Sequence, residues 1–322
     1  MAKISVVIPI YCNAPTLPAL FERLNMVVKN NPQHCFEFIC VDDGSGDTSF
    51  QILQSLAQKN ELIRGIKLAR NFGEPAATLA GITFASGDAV AVLAADLQDP
   101  PEDLNRLIVE WEQGYKVVLA VRKDRHGDPI LTRFFSYIFN VLFRLVYRDY
   151  SPQGIGFFLI DRQVVNVIIQ CEEKNAHLIG LIIWTGFPHQ TIMYDRPERE
   201  EGKSMWNISK KIKYFIDAFV SFTYLPLRVC SVTGFIFAIA GGVFAINVII
   251  ERLTVSTPVP GWAALTVIVL ILSGVQLIMM GVIGEYLWRN FDATRKRPIF
   301  IVDSVIGQEQ EKTGDNKQTE SQ

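Results

Sequence analysis

Strand-like and helix-like segments alternate without interruption over the first 122 residues, and this alternation restricts the fold more than any other feature of the chain. Ile4–Pro9, Phe36–Val41, Gly65–Leu68, Ala89–Leu93 and Lys116–Val121 are short apolar runs of the kind that form buried parallel strands. Between them, residues 16–30, 48–59, 74–85 and 101–113 read as helices. In the first of these, Leu17, Leu20, Phe21 and Leu24 recur at helical spacing. A strand that feeds a helix and then another parallel strand must cross back over the sheet. The pattern therefore predicts an α/β domain whose mostly parallel sheet is covered on both faces.

Polar residues gather just past the carboxyl ends of these strands: Tyr11 and Asn13, Asp42 and Asp43, Arg70 and Asn71, Asp96 and Gln98, and Arg122. In open α/β sheets that edge binds ligands. Ordinary loop polarity is the alternative at each position alone; the clustering is the stronger signal. In the stretch Ala94–Glu102, Pro100 and Pro101 stop the strand, and Pro101, Glu102 and Asp103 suit the first turn of a helix. Asp96 thus falls at a strand end, where a carboxylate is costly unless it holds a cation, a donor or a sugar hydroxyl. No G-x-G-x-x-G follows the first strand and no G-x-x-x-x-G-K-[ST] occurs, which argues against a Rossmann dinucleotide site and a P-loop. A net charge of −2 without a basic face gives no sign of a nucleic-acid partner. Cys12, Cys35, Cys40, Cys171 and Cys230 show no C-x-x-C spacing, which fits reduced, buried thiols facing a cytoplasm. Met1-Ala2-Lys3 runs directly into a strand, so no signal peptide is expected.

The apolar excess lies mostly after residue 225. Val229–Ile250 and Trp262–Gly284 carry no formal charge over 22 and 23 residues, and each is long enough to cross roughly 30 Å of hydrocarbon. The loop between them holds one basic residue, Arg252. Lys203, Lys210, Lys211, Lys213 and Arg228 precede the pair, and Arg289, Arg295, Lys296 and Arg297 follow it. This asymmetry places both ends of the pair in the cytoplasm and the loop outside. Ile208, Ile212, Phe215, Ile216, Phe219 and Phe222 share one face of an amphipathic helix, read as interfacial in preference to core-packing. Residues 133–148 form either a core helix or an interfacial one, since their longest uncharged run, Phe134–Phe143, is only 10 residues. From Gly307 the chain is polar and reads as disordered.

Four segments taken together, Ser5–Tyr11, Val41–Ser45, Arg70–Gly73 and Ala95–Glu102, resemble the family-2 glycosyltransferases. Among these the chain is most similar to the polyprenyl-phosphate sugar transferases of the dolichol-phosphate mannose synthase and bactoprenol glucosyltransferase type, over nearly its whole length. The resemblance implies a GT-A fold, a nucleotide-sugar donor, Mg2+ or Mn2+, and polyprenyl phosphate as acceptor. By it, Pro9, Tyr11, Asn13, Asp42, Asp43, Arg70 and Asn71 would hold the nucleotide. Asp96 would bind the metal and act in catalysis with Gln98 and Arg122. Arg199, Lys203 and Ser204 would meet the diphosphate or the acceptor phosphate, and Gly154–Arg162 resembles the acceptor-side motif. Three positions depart from the family pattern: Ala94 replaces the first acid of Asp-x-Asp, Gly156 stands where an acid precedes the Phe of the acceptor motif, and Met205 replaces a Lys or Arg.

The expected organisation is a cytoplasmic GT-A domain over residues 1–205, an amphipathic helix over 206–228, transmembrane helices over 229–250 and 262–284, and a cytoplasmic tail over 285–322. The expected activity is inverting sugar transfer, from a UDP-linked donor in preference to a GDP-linked one, to polyprenyl phosphate at the plasma membrane. A nucleotide- or lipid-binding scaffold without activity is the alternative, favoured by Ala94 and Gly156 and opposed by the intact acids at Asp43 and Asp96. A processive synthase is disfavoured, because no Q-x-x-R-W motif occurs. The sequence is compatible with a homo-oligomer and does not fix one.

Overall fold

The computed structural model describes residues 1–123, 155–171, 178–195, 225–254 and 261–307. Strands β1 (Lys3–Ile10), β2 (Cys35–Asp42), β3 (Ile63–Leu68), β4 (Ala89–Val92) and β5 (Val117–Arg122) alternate with helices α1 (Leu17–Asn30), α2 (Ser49–Lys59), α3 (Glu74–Phe84) and α4 (Leu104–Glu112). Then follow β6 (Ile155–Asp161), α5 (Arg162–Ile168), α6 (Leu178–Trp184) and β7 (His189–Tyr194). The long helices α7 (Leu225–Thr254) and α8 (Trp262–Thr294) come next, and last β8 (Val302–Ile306). Among the described residues, the eight strands with α1–α6 form one compact unit, and α7 with α8 form a second.

The sheet order is β7-β5-β6-β4-β1-β2-β3-β8. β1 pairs in parallel with both β2 and β4, β2 with β3, and β5 with β7; β6 and β8 run antiparallel to their neighbours. The expected mostly parallel sheet is therefore present, extended by three strands beyond the five read from the sequence. The chain runs outward from β1 through β2 and β3 and then returns to the other side of β1 as β4, so the edge beyond β1 and β4 is the topological switch point.

Period-2 alternation gives the inner strands β1, β2 and β4 two buried faces. Ile4, Val6, Ile8 and Ile10 of β1 and Phe36 and Phe38 of β2 pack in one core with Leu17, Leu20 and Leu24 of α1, Leu53 of α2 and Leu107 of α4. Phe21 meets Phe38 edge-on at 5.9 Å. On the opposite face α3 lies against β1 and β2. It approaches so closely that a Cβ at Gly81 would overlap Val7 Cγ1 and come within 3.2 Å of Val41 Cγ2. Truncating a fully buried leucine such as Leu20 costs about 2–5 kcal/mol.

Several expectations are corrected. Residues 285–322 are not simply a tail: α8 runs on to Thr294, and Val302–Ile306 is a strand of the main sheet, hydrogen-bonded to β3. Its partner lies far upstream, so no local pattern announces it. Cys12 and Cys35 are exposed rather than buried; all five thiols are free. The helix expected from Pro101 begins as a 3₁₀ turn, Pro101–Asp103. Both long apolar runs are helical. Among the described residues, Leu227–Phe244 in α7 is long and apolar enough to cross a membrane; several side chains of the second expected span, within α8, lie outside the described ones. Val232, Phe235 and Ile239 of α7 and Leu277, Ile278 and Met280 of α8 are exposed. Residues 133–148, the amphipathic segment 208–222, Arg199, Lys203, Ser204, Met205 and the tail past residue 307 lie outside the described residues.

Candidate active site

All strands except β6 and β8 end at the same edge of the sheet, and the antiparallel β6 begins there. The loops after β1, β2, β3, β4, β5 and β7, together with Ile155 and Gly156, are thereby gathered in one place. The loop after β1 is fastened to its neighbours on both sides. The Tyr11 N–H donates to Asn13 Oδ1 at 2.9 Å, the Cys12 N–H to Ser45 Oγ at 3.0 Å and the Asn13 N–H to Ser49 Oγ at 2.9 Å. The Thr16 hydroxyl donates to the Ala95 carbonyl at 2.6 Å, which ties this loop to the one carrying Asp96. Asn13 thus fixes the turn, while Tyr11 remains exposed and Pro9 is half-buried within β1.

Asp42 and Asp43 take different parts. Asp43 accepts the Phe72 N–H at 2.7 Å on Oδ1 and the Gly73 N–H at 2.8 Å on Oδ2, so its carboxylate braces the Arg70–Gly73 loop. Asp42 is fully buried; its Oδ1 accepts the Ser45 N–H at 3.3 Å, and its Oδ2 has no hydrogen-bond partner among the described residues. Burial holds both carboxyls above the usual carboxylate range. Gly44 is required between the loops. Its φ is +68°, and a Cβ there would lie 2.7 Å from Arg70 C and Asn71 N. Arg70 and Asn71 are exposed, with the Arg70 guanidinium 4.3 Å from the centre of the Phe72 ring.

Past β4, Leu97 takes φ 59°, an unfavourable conformation for a branched side chain, and the Gln98 N–H closes an Asx turn on Asp96 Oδ1 at 3.2 Å. Strain of this kind concentrates at functional sites. Asp96 and Gln98 are half-buried. Behind them lies a pair that sequence reasoning missed. The Tyr194 hydroxyl, at the end of β7, donates to Asp99 Oδ1 at 2.7 Å, with both residues at most 3 % exposed. Burial raises the Asp99 carboxyl; the Tyr194 hydrogen bond and Arg122 pull it back, and the Asp96 charge adds to the rise. Tyr194 is raised in turn by burial and by Asp99. Arg122 stands opposite Tyr194 in the β5–β7 register, and its Nε is buried without a partner among the described residues. Glu74, which opens α3, is also raised, by desolvation and then by the charges of Asp96 and Asp99.

Gly156 belongs to this cluster. A Cβ there would overlap Tyr194 Oη and lie 2.7 Å from Tyr194 Cζ and 2.9 Å from Asp99 Oδ1. The space an acidic side chain at 156 would need is filled by the tyrosine–aspartate pair. Tyr194 carries no sequence signal, whereas Asp99 lies inside the Ala94–Glu102 stretch and went unassigned.

A GT-A-like sheet with loops of this kind at its switch point defines a class of sugar-transferring α/β domains, and the comparisons agree. Residues 5–165 match the family Glycosyl transferase family 2. An uncharacterised glycosyltransferase of Synechocystis sp. is 38 % identical over 308 residues, covering 95 % of this chain and 96 % of that one. The bactoprenol glucosyl transferase of Shigella phage SfV is 34 % identical, covering 93 % and 98 %. The undecaprenyl-phosphate 4-deoxy-4-formamido-L-arabinose transferase of Photorhabdus laumondii is 35 % identical, covering 98 % and 97 %. The chain belongs to glycosyl transferase family 2.

Proposed function

We propose that this protein is a membrane-anchored inverting glycosyltransferase, which moves a sugar from a UDP-linked donor to polyprenyl phosphate on the cytoplasmic face. The observation that carries the reading is the meeting of two sets of loops at one sheet edge. One set, Tyr11, Asn13, Asp42, Asp43, Arg70 and Asn71, suits a nucleoside; the other, Asp96, Gln98 and Arg122, suits a charged diphosphate. End-to-end similarity to transferases named for lipid-phosphate acceptors supports it.

In this reading Asp43 keeps the Arg70–Gly73 loop in place, and Tyr11 packs against the nucleoside. Gln98 contacts the sugar. Arg122 supplies positive charge where the leaving diphosphate gathers negative charge. The acceptor phosphate oxygen attacks the anomeric carbon from the side opposite the diphosphate; the new C–O bond forms as the old one breaks, so the configuration inverts. The acceptor is already anionic near neutral pH, so no side chain need deprotonate it, which accommodates Gly156. Arg199, Lys203 and Ser204 are proposed to meet the phosphates.

The donor set fits a divalent ion that arrives with the diphosphate. Among the described residues no three His, Cys, Asp or Glu side chains gather into a protein-only cage, yet Glu74, Asp96 and Asp99 repel one another as a cation would relieve. Asp96 would hold Mg2+ or Mn2+ with the diphosphate oxygens and water, a ligand set of one carboxylate plus phosphate that Mg2+ commonly uses. When bound, the ion neutralises charge on the leaving group. The two apolar runs in α7 and α8 are proposed to span the membrane, with Thr254 to Gly261 outside and residues 1–225 in the cytoplasm.

Purified protein is tested with polyprenyl phosphate, Mg2+ and a panel of labelled nucleotide-sugars. One UDP-sugar is expected to give a lipid-linked product. No transfer from any donor, together with metal-independent UDP binding, would replace this reading with that of a scaffold.

A further inference from the structure

We propose that the strand Val302–Ile306 is a positioning element of the donor site, whose docking on β3 holds the Arg70–Gly73 loop in its binding conformation; the ligand named here rests on the function proposed above. The seat for this strand is specific. Ile306 stands opposite Gly65, where a Cβ would lie 2.5 Å from Ile306 Cγ1, 2.7 Å from its Cδ1 and 3.0 Å from Leu53 Cδ2. The missing side chain at 65 is the socket, and Ile306 fills it to join the main core. Gly307 ends the strand at φ +92°, with its Cα so near β3 that a Cβ would meet the Ile63 carbonyl oxygen at 2.5 Å. Lys67 Nζ and Asp303 Oδ2 add an ion pair at 3.6 Å.

The pairing does not stop at the end of β3. The register shifts between Lys67 and Leu68, and one residue further the Ala69 N–H donates to the Ile301 carbonyl at 2.9 Å. A bulge re-aims the chain that follows it. Here that chain is Arg70–Gly73. The loop is thus held at both ends: on the entry side by Ile301, and on the exit side by Asp43, which accepts the Phe72 and Gly73 N–H groups. Between the two clamps the backbone of Arg70 and Asn71 lies against Gly44 of the loop after β2, with both side chains open to solvent. Without β8 one clamp is lost, the β3 edge is bare, and Arg70 and Asn71 must be ordered by the ligand itself. In sequence, Ile301 follows the last residue of α8, Thr294, by seven positions. The residues that set the donor loop are therefore those that leave the second apolar helix.

The test uses the full chain with Ile306→Asp, which places a charge over Gly65, and Ile306→Val, which keeps a β-branched apolar side chain. Hydrogen exchange is read at the amides of residues 66–73 without ligand. UDP affinity is read by calorimetry, and the KM values for donor and acceptor are read separately. Ile306→Asp is expected to release the Ala69, Phe72 and Gly73 amides while β1 and β4 stay protected. UDP affinity should fall roughly tenfold, the cost of ordering two more side chains on binding. The donor KM should rise, kcat and the acceptor KM should hold, and Ile306→Val should behave as the wild type. Released β3 amides with an unchanged Phe72–Gly73 pair and unchanged UDP affinity would overturn the proposal, and so would loss of protection through the whole sheet. A wild type that binds no UDP would instead count against the donor reading, and the exchange data would still decide whether the strand holds the loop.

Discussion

A single methyl group at residue 156 probes the packing beneath the site. In Gly156→Ala the new Cβ overlaps Tyr194 Oη and sits 2.7 Å from Cζ, so the buried ring must move. Tyr194 is 1 % exposed and packs edge-on against Phe157 at 4.9 Å, which leaves it little room. Overpacking of this kind costs about 1–3 kcal/mol. The moving ring also breaks the 2.7 Å hydrogen bond to Asp99, and a bond to a charged, buried acceptor is worth about 1.5–3 kcal/mol. Together the two losses come to about 2.5–6 kcal/mol, a large share of the 5–15 kcal/mol that holds a typical domain. Tyr194→Phe alone removes only the bond. In the double variant that bond is lost once, not twice, so its cost should fall short of the sum of the single costs by about 1.5–3 kcal/mol. Equilibrium denaturation of the purified full chain in detergent measures all four corners of the cycle. Costs that add within about 0.5 kcal/mol, or a Gly156→Ala cost below about 1 kcal/mol, would refute the account of this cluster.

Four further outcomes are expected. Asp96→Asn keeps shape and removes charge, and at saturating Mg2+ it should lower sugar transfer by orders of magnitude, a loss of about 3–4 kcal/mol or more of transition-state stabilisation; near-normal transfer would remove Asp96 from the metal site. Asp43→Ala frees two backbone donors of the Arg70–Gly73 loop and should weaken UDP binding by about 1.5–3 kcal/mol in calorimetry; unchanged affinity would separate the loop from the nucleotide. Burial, with Asp96 adding to it, lifts Asp99 above its ordinary value. The native state therefore keeps a proton that the unfolded chain releases, and stability falls as pH rises from about 4 through the raised value; Asp99→Asn, which still accepts from Tyr194, should gain melting temperature relative to the wild type over that rise, and a pH-independent difference would refute the assignment. A Thr257→Cys probe should react with an impermeant reagent in intact cells; labelling only after permeabilisation would reverse the proposed topology.

What could be read from the sequence is what is encoded locally. Apolar runs marked β1 to β5 because a strand buried on both faces needs no partner in the sequence to be recognised. The polar residues at their carboxyl ends marked the edge, because sheet direction alone brings them together. Non-local features were not legible. β8 is a short alternating stretch whose meaning depends on Gly65, a residue that reads as an unremarkable strand glycine until Ile306 is seen over it. That Asp43 also braces the Arg70–Gly73 loop is not legible either, since its two backbone donors belong to a loop whose position no spacing rule supplies.

Gly156 carries the argument furthest, because there the sequence suggests a loss and the structure shows a constraint. Read alone, a glycine in the place of an acid implies missing chemistry. In the fold, no side chain fits at 156 while Tyr194 donates to Asp99. A carboxylate at 156 and a tyrosine at 194 thus exclude each other on this backbone. The acid nearest that place is Asp99, reached from a different strand and held by a different element. It stands three residues from Asp96 on the same strained loop, so whatever shifts Tyr194 also shifts the residue on which the proposed metal site depends.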